Sequence, residues 1–127
     1  EVLAAPELPK EASDPSGMSR DPETQRSYAE DPLVYHGGYK RALLEAEVVA
    51  LDRFNEDIDK LTMPVLFLHG DADPFVPAQT TADAVDRMPA KTKRAKIYPG
   101  AKHELVNELN REDVIREIES FVTEVAP

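Results

Sequence analysis

Hydrophobic residues recur at helical spacing in the middle of the chain. The steps between them are four, three, three and four, which predicts a helix from Tyr39 to Asp59. The apolar stripe of this helix consists of Leu44, Val48, Leu51, Phe54 and Ile58. Such a stripe suits either packing on a sheet or a helix that faces lipid, and we expect packing on a sheet.

Two short segments further along have the pattern of strands. The run from Pro64 to His69 is continuously apolar and closed by Gly70, which predicts a strand buried on both faces. From Arg94 to Tyr98 the residues alternate, with Ala95 and Ile97 on the drier side. Strands buried on both faces occur mainly in parallel sheets covered by helices.

A helical pattern follows each predicted strand. Apolar residues three positions apart, at Ala82, Val85 and Met88, predict a helix from Gln79 to Met88. A longer apolar stripe predicts another helix from Arg111 to Val125, with Asn110 as its N-cap. The order strand, helix, strand, helix predicts the α/β class with a parallel sheet. Sheets usually have about four to six strands, so we expect other polypeptide to complete this one.

The first 39 residues have a different character, because they contain five of the eleven prolines and three of the five glycines. This density predicts loops, with one short helix from Pro22 to Ala29. Pro22 suits the first helical turn, and Asp21 is the predicted N-cap.

Composition narrows the possible partners. The 127 residues include 15 basic and 25 acidic ones, for a net charge of −10, which argues against nucleic-acid binding because that binding needs basic side chains. Six basic residues between 87 and 102 are expected to be solvated. Cysteine is absent, and no apolar stretch approaches the roughly 20 residues that span a bilayer.

Because the chain begins with Glu1 and shows no signal-peptide pattern, we interpret it as a fragment.

The candidate chemistry lies in the two loops that follow the strands. Asp73 is in the first loop, 70–77, and His103 ends the second, 99–103. Open α/β sheets bind ligands at the carboxyl ends of their strands, so adjacent strands would bring these loops together. A carboxylate that accepts the Nδ1 proton of a histidine fixes its tautomer and leaves the other nitrogen free to act as a base.

Several alternatives compete with this interpretation. Asp73 also suits a turn-forming role, and Asp71 competes for the catalytic role. Two Asp residues at this spacing also suggest a cation site, but the calcium-binding pattern would place an oxygen ligand where Phe75 stands, so we predict no metal. His69 is expected to donate to a backbone carbonyl, and His36 to be solvated.

The sequence of both loops resembles a known family. The segment Leu68-His69-Gly70-Asp71-Ala72-Asp73-Pro74-Phe75-Val76-Pro77 resembles the acid loop of the α/β-hydrolase superfamily, in particular of serine hydrolases like monoacylglycerol lipase and lysophospholipase. Tyr98-Pro99-Gly100-Ala101-Lys102-His103-Glu104 resembles their histidine loop. The stretch Ser19 to Tyr28, with Asp31 to Val34 and Gly37, is similar to the cap region of the bacterial monoacylglycerol lipases.

This resemblance implies the C-terminal portion of an α/β-hydrolase, residues 61–127, preceded by a helical cap or lid region, residues 1–60. Asp73 and His103 would be the acid and the base of a Ser-Asp-His triad that cleaves monoacylglycerol or similar lipid esters. The expected substrate contacts are Leu33, Val34, Phe75 and Val76. No cofactor is implied.

The serine of the triad is not found in the sequence. No serine has the flanking glycines of the Gly-x-Ser-x-Gly elbow that this superfamily uses. The resemblance therefore implies that the nucleophile lies upstream and that the partner of this chain is the N-terminal half of the same fold. The chain alone would be inactive.

Other functions stay open on the sequence. Epoxide, haloalkane or carbon–carbon bond hydrolysis uses similar acid and base loops with a different nucleophile. A non-catalytic hydrolase-like interaction domain is a further alternative. The sequence also leaves open whether the protein is cytoplasmic or peripherally attached to a membrane.

Overall fold

The computed structural model describes residues 14–126 of the chain, and its regular elements begin and end within two residues of the predicted positions. In chain order these are α1 (Pro22–Glu30), α2 (Arg41–Asp57), β1 (Val65–Gly70), α3 (Ala78–Arg87), β2 (Lys93–Tyr98) and α4 (Arg111–Val125). Short 3₁₀ turns occupy Pro15–Gly17, Ile58–Lys60 and Leu105–Asn107. The part of the expected cap region that precedes Asp14 lies outside the described residues.

Strands β1 and β2 pair in parallel, which confirms the predicted α/β architecture. The register runs from Val65 opposite Lys93 to Gly70 opposite Tyr98. Both strands therefore end at the same edge, and the two loops that carry the candidate chemistry begin there. Because side chains alternate along a strand, every second pair faces the same side of the sheet.

Helix α4 covers one side of this sheet. Its Val114 forms a buried cluster with Tyr98 and Ala101, and the partly buried residues Leu68, Leu105 and Ile118 pack around that cluster. Polar contacts extend the same interface, because Glu117 accepts hydrogen bonds from Arg94 and Lys96 at 2.9 and 2.8 Å. This interface holds β2 and the histidine loop together.

Helix α3 is attached to the other side. The ammonium group of Lys93 donates to the backbone carbonyls of Val85, Asp86 and Met88 at the end of the helix, at 2.9–3.3 Å. Free carbonyls at a helix C-terminus favour a cation, so this contact both closes α3 and ties it to β2. Phe67 and Val85 are the buried apolar residues of this side.

The predicted burial of the strands was wrong in two respects. Ala95 and Ile97, expected on the drier side of β2, are exposed, whereas Tyr98 is buried. The reason is that α4 lies over the side of β2 that carries Tyr98. In β1 only Phe67 and Gly70 are fully buried, because within residues 14–126 the sheet has two strands and both are edge strands.

The expected packing of α2 on the sheet was also wrong. Leu51 is 60% exposed and Val48 43%, and only Ile58, in the turn after the helix, is fully buried. The attachment of α2 to the body of the protein is polar, since Arg87 of α3 donates to the side-chain oxygen of Asn55 at 3.0 Å. No helix within residues 14–126 is both long and apolar enough to cross a membrane.

The two predicted N-caps behave differently. The Asp21 carboxylate accepts from the backbone N–H of Glu23 at 3.0 Å, with Pro22 in the first turn, which confirms this cap of α1. Asn110 stands at the N-cap position of α4, but its side chain makes no capping bond. Its side-chain oxygen instead accepts from Arg20 at 2.8 Å.

Candidate active site

The acid loop is shaped by the carboxylate of Asp73. Its Oδ1 atom accepts hydrogen bonds from the backbone N–H groups of Phe75 at 2.8 Å and Val76 at 3.1 Å. This is the local turn that an Asp favours, and it leaves the second oxygen free for another partner. The side chain is only 2% exposed. One carboxylate thus both forms the turn and faces the histidine loop.

The second oxygen of that carboxylate contacts the predicted base. Asp73 Oδ2 lies 2.9 Å from Nδ1 of His103, which is hydrogen-bond distance. The imidazole is 41% exposed, and within residues 14–126 no hydrogen bond engages its Nε2 atom. With the proton on Nδ1 and donated to Asp73, the Nε2 lone pair points away from the carboxylate and is available as a base.

The carboxylate is held in its charged form. Burial raises the pKa of Asp73, but the hydrogen bond from His103 and those from the N–H groups of Phe75 and Val76 outweigh it, so the pKa lies below its ordinary value. Asp73 is therefore ionised at neutral pH, and it can stabilise a positive charge that forms on His103.

A close approach of the two loops brings these side chains together. A Cβ atom on Gly70 would lie 2.1 Å from the backbone oxygen of Ala101, so only glycine fits at this position. The N–H of Ala72 donates to the same oxygen at 3.0 Å. Asp71, the competing acid, accepts from the N–H of Gly100 at 2.6 Å. In this structure Asp71 therefore joins the loops and does not contact the imidazole.

His69 contacts the same carboxylate oxygen of Asp73 as His103 does. Its Nε2 atom is 3.0 Å from the carbonyl oxygen of Val76, which agrees with the expected backbone contact. The same atom is 3.2 Å from Asp73 Oδ2, a contact that sequence reasoning missed. The i,i+4 spacing of His69 and Asp73 across the strand end was the only signal for it.

The predicted substrate contacts differ in how near they lie to His103. The ring of Phe75 meets that of His103 edge to face, with 5.2 Å between centroids, and the adjacent Val76 is 38% exposed. Val34 lines an open groove of about 400 Å³ together with Glu104, the neighbour of His103. Leu33 is 92% exposed and has almost no packing in the part of the chain that the structure describes.

The described residues do not supply a nucleophile for this pair. The hydroxyl of Ser16 donates to Asp14 at 2.7 Å, and that of Ser19 to the carbonyl of Asn107 at 2.8 Å. Between residues 14 and 126, no serine hydroxyl is hydrogen-bonded to His103. Over the same range, no group of three or more His, Asp or Glu side chains is arranged to hold a metal ion.

The parallel strands, their flanking helices and the two loops define the C-terminal portion of an α/β-hydrolase. Residues 2–110 match the family described as serine aminopeptidase, S33, and the chain belongs to this family. It is similar to the monoacylglycerol lipase of Mycolicibacterium smegmatis, with 33% identity over 93% of the chain and 42% of that protein. It is also similar to human monoglyceride lipase, with 31% identity over 96% of the chain and 41% of that protein.

A solved structure confirms the fold. The crystal structure of Paleococcus ferrophilus monoacylglycerol lipase superposes with a TM-score of 0.80 at 27% identity, over 92% of the chain and 46% of that protein. The chain spans about two fifths of the length of the curated relatives it matches.

Proposed function

We propose that this chain supplies the acid and the base of a serine ester hydrolase that acts on monoacylglycerol or similar lipid esters. The observation that carries the proposal is the 2.9 Å contact between Asp73 Oδ2 and His103 Nδ1. In this proposal the nucleophilic serine and the remaining strands belong to the N-terminal half of the same fold. The two components would form one active site at the carboxyl ends of β1 and β2.

The chemistry assigned to His103 proceeds in two half-reactions. Its Nε2 atom takes the proton of the serine hydroxyl as the serine oxygen attacks the ester carbonyl. The imidazolium then gives this proton to the leaving alcohol as the carbon–oxygen bond breaks, and an acyl-enzyme remains. Water, deprotonated by the same nitrogen, attacks the acyl-enzyme, and the serine recovers its proton as the fatty acid leaves.

Asp73 has two tasks in this cycle. It keeps the proton of the neutral imidazole on Nδ1, and it stabilises the imidazolium that forms in each half-reaction. The lowered pKa of Asp73 supports both tasks, because the carboxylate stays charged at neutral pH. Its bonds to the loop backbone keep the carboxylate oriented without the help of substrate.

The proposed substrate follows from the relatives together with the apolar residues near the base. The compared relatives are named as monoacylglycerol or monoglyceride lipases and match nearly the whole chain. Phe75 and Val76 are partly exposed beside His103 and suit contact with an acyl chain. We assign residues 1–60 to the cap or lid region, and we assign Val34 and Leu33 to contacts that this region makes with the same acyl chain.

The proposal is tested in the complete polypeptide that contains this chain. We expect a fluorophosphonate probe to label one serine and a monoacylglycerol to be hydrolysed. His103→Gln should lower kcat/KM by about a thousandfold or more, because it removes the base. The matched control is His36→Gln, since within residues 14–126 the hydrogen bond and ring contact of His36 are with the carbonyl of Asp31 and the ring of Tyr28.

Three outcomes would contradict the proposal. Full ester hydrolysis by the His103→Gln variant would remove the base assignment. No labelling by the probe, together with turnover of an epoxide or a haloalkane, would point to one of the other hydrolase chemistries, which use a different nucleophile. A polypeptide that is neither labelled nor active would favour the non-catalytic interaction domain.

A further inference from the structure

The backbone on both sides of His103 is fixed by one short segment of the cap region. The N–H of Glu104 donates to the carbonyl of Met18 at 2.8 Å. On the other side, the N–H of Lys102 donates to Glu108 Oε1 at 2.9 Å, and the same oxygen accepts from the N–H of Arg20 at 3.0 Å. Residues 18–20 therefore bond one neighbour of His103, Glu104, directly, and the other neighbour, Lys102, through Glu108.

Glu108 is the centre of this arrangement. Its side chain has no exposed surface. In addition to the two bonds to Oε1, Oε2 accepts from Arg20 Nε at 2.9 Å and from the N–H of Leu109 at 2.9 Å. Four donors, one of them charged, compensate a carboxylate that water does not reach. The Arg20 side chain is 34% exposed, but the loss of a donor to a fully buried carboxylate costs more than the loss of a surface ion pair.

The charge on Glu108 persists at neutral pH. Burial raises its pKa, but the N–H groups of Lys102, Leu109 and Arg20 and the Arg20 guanidinium outweigh this effect, so the pKa lies below the ordinary value of a glutamic acid. A neutral side chain of the same shape would lack the full set of acceptor positions. The arrangement therefore depends on an ionised carboxylate.

The residues before Arg20 attach the same segment to both loops. The fully buried Ser19 donates to the carbonyl of Asn107, just before Glu108. Gly17 lies against the acid loop, because a Cβ atom added there would be 2.6 Å from Cζ of Phe75. Phe75 in turn contacts the ring of His103. Residues 17–20 are thus connected to His103 through Glu104 and Glu108 on its backbone side and through Phe75 on its ring side.

We propose that Arg20 and Glu108 are positioning residues that set the place of the His103 imidazole for proton transfer, and that the cap region acts on the base through this pair. This inference rests on the function proposed above. A displacement of about 1 Å at a reacting group can cost on the order of a hundredfold in rate. Loss of the hydrogen bond that holds the backbone of Lys102 should therefore lower kcat more than it weakens substrate binding.

The test uses the complete polypeptide and a matched pair of substitutions. Glu108→Gln keeps the shape of the side chain and removes the charge. The control, Glu117→Gln, removes a carboxylate that is 18% exposed and bonds Arg94 and Lys96 of β2. We expect Glu108→Gln to lower kcat on a short soluble ester by about 10- to 100-fold with KM within about twofold. Glu117→Gln should leave both within about twofold.

A milder variant covers the case in which Glu108→Gln does not fold. Arg20→Lys keeps the positive charge and the backbone N–H but loses the planar guanidinium that bonds Oε2. We expect it to lower kcat about three- to tenfold, again with little change in KM. Thermal unfolding of each variant identifies the folded ones. A folded Glu108→Gln or Arg20→Lys protein with an unchanged kcat would overturn the inference, as would an equal loss of kcat in Glu117→Gln.

A readout that does not need turnover separates this inference from the proposed function. The ¹⁵N resonance of His103 Nδ1 reports its hydrogen bond to Asp73, and we expect Glu108→Gln, but not Glu117→Gln, to shift it. If the wild-type polypeptide is inactive while this difference is seen, the positioning role stands and the proposed function fails. If the wild-type polypeptide is active and the resonance and kcat do not respond to Glu108→Gln, the positioning role fails alone.

Discussion

Helices α2 and α4 carry similar apolar stripes and have opposite surroundings. In α4, Val114 is 1% exposed and Phe121 6%. In α2, Leu51 is 60% exposed and Val48 43%, and no residue of the helix is fully buried. The sequence pattern therefore predicted both helices equally well, although within the described residues only α4 has fully buried residues in its stripe.

The difference arises from what each helix meets in three dimensions. Helix α4 follows β2 and lies directly over the sheet, so its apolar side meets Leu68 and Tyr98. Helix α2 precedes β1 and is joined to the rest by the turn at Ile58 and by the bond between Asn55 and Arg87. Periodicity indicates that a helix has an apolar side, but it does not identify the surface that covers that side.

The same substitution in the two helices should give the largest difference. Phe121→Ala removes a buried ring that also lies 5.5 Å from the Arg94 guanidinium, and we expect it to lower the free energy of unfolding by about 3 kcal/mol. Phe54→Ala in α2 should cost about 1 kcal/mol or less, because the ring is 37% exposed. Urea unfolding followed by circular dichroism measures both. Equal losses would show that α2 is packed in solution.

Acidification should lower the free energy of unfolding by a smaller amount, because it breaks polar contacts of α4. Hydrogen bonds from Lys96 and Arg94 lower the pKa of Glu117 below its ordinary value in the folded state. The charged Glu117 carboxylate therefore stabilises the folded state fully above its pKa in the unfolded chain, near 4.3. This stabilisation is lost as the pH falls from there through the lower pKa of the folded state. Urea unfolding at a series of pH values should show a weaker acid dependence for Glu117→Gln than for wild type. An identical dependence would contradict a stabilising role of this carboxylate.

The smallest effect is expected on the exposed part of α2. Val49→Ala should change the free energy of unfolding by no more than about 0.5 kcal/mol, because the side chain is largely solvated and Ala has the higher helix propensity. The same urea experiment measures it, with Val114→Ala as the matched change in α4. A large loss at Val49 would mean that the side of α2 that carries Val49 is covered in solution.

Part of the candidate site was also predictable. Asp73 and His103 follow neighbouring strands, and the parallel register places them at one edge, so their proximity could be expected from the order of the elements. The choice of Asp73 over Asp71 came from the family resemblance. The residue pattern alone leaves both open, because they lie two positions apart in the same turn. Their catalytic roles remain predictions.

The sequence alone determined the local properties of this protein: where its helices and strands lie, which caps and loops divide them, and that its two loops resemble those of the α/β-hydrolases. Only the tertiary structure decided which apolar sides are covered and that Arg20 and Glu108, 88 residues apart, hold the backbone next to His103. The physical reason is the distance along the chain over which each kind of interaction acts. Periodicity and capping arise between residues a few positions apart, whereas the burial of a charge depends on donors that distant parts of the chain bring to it.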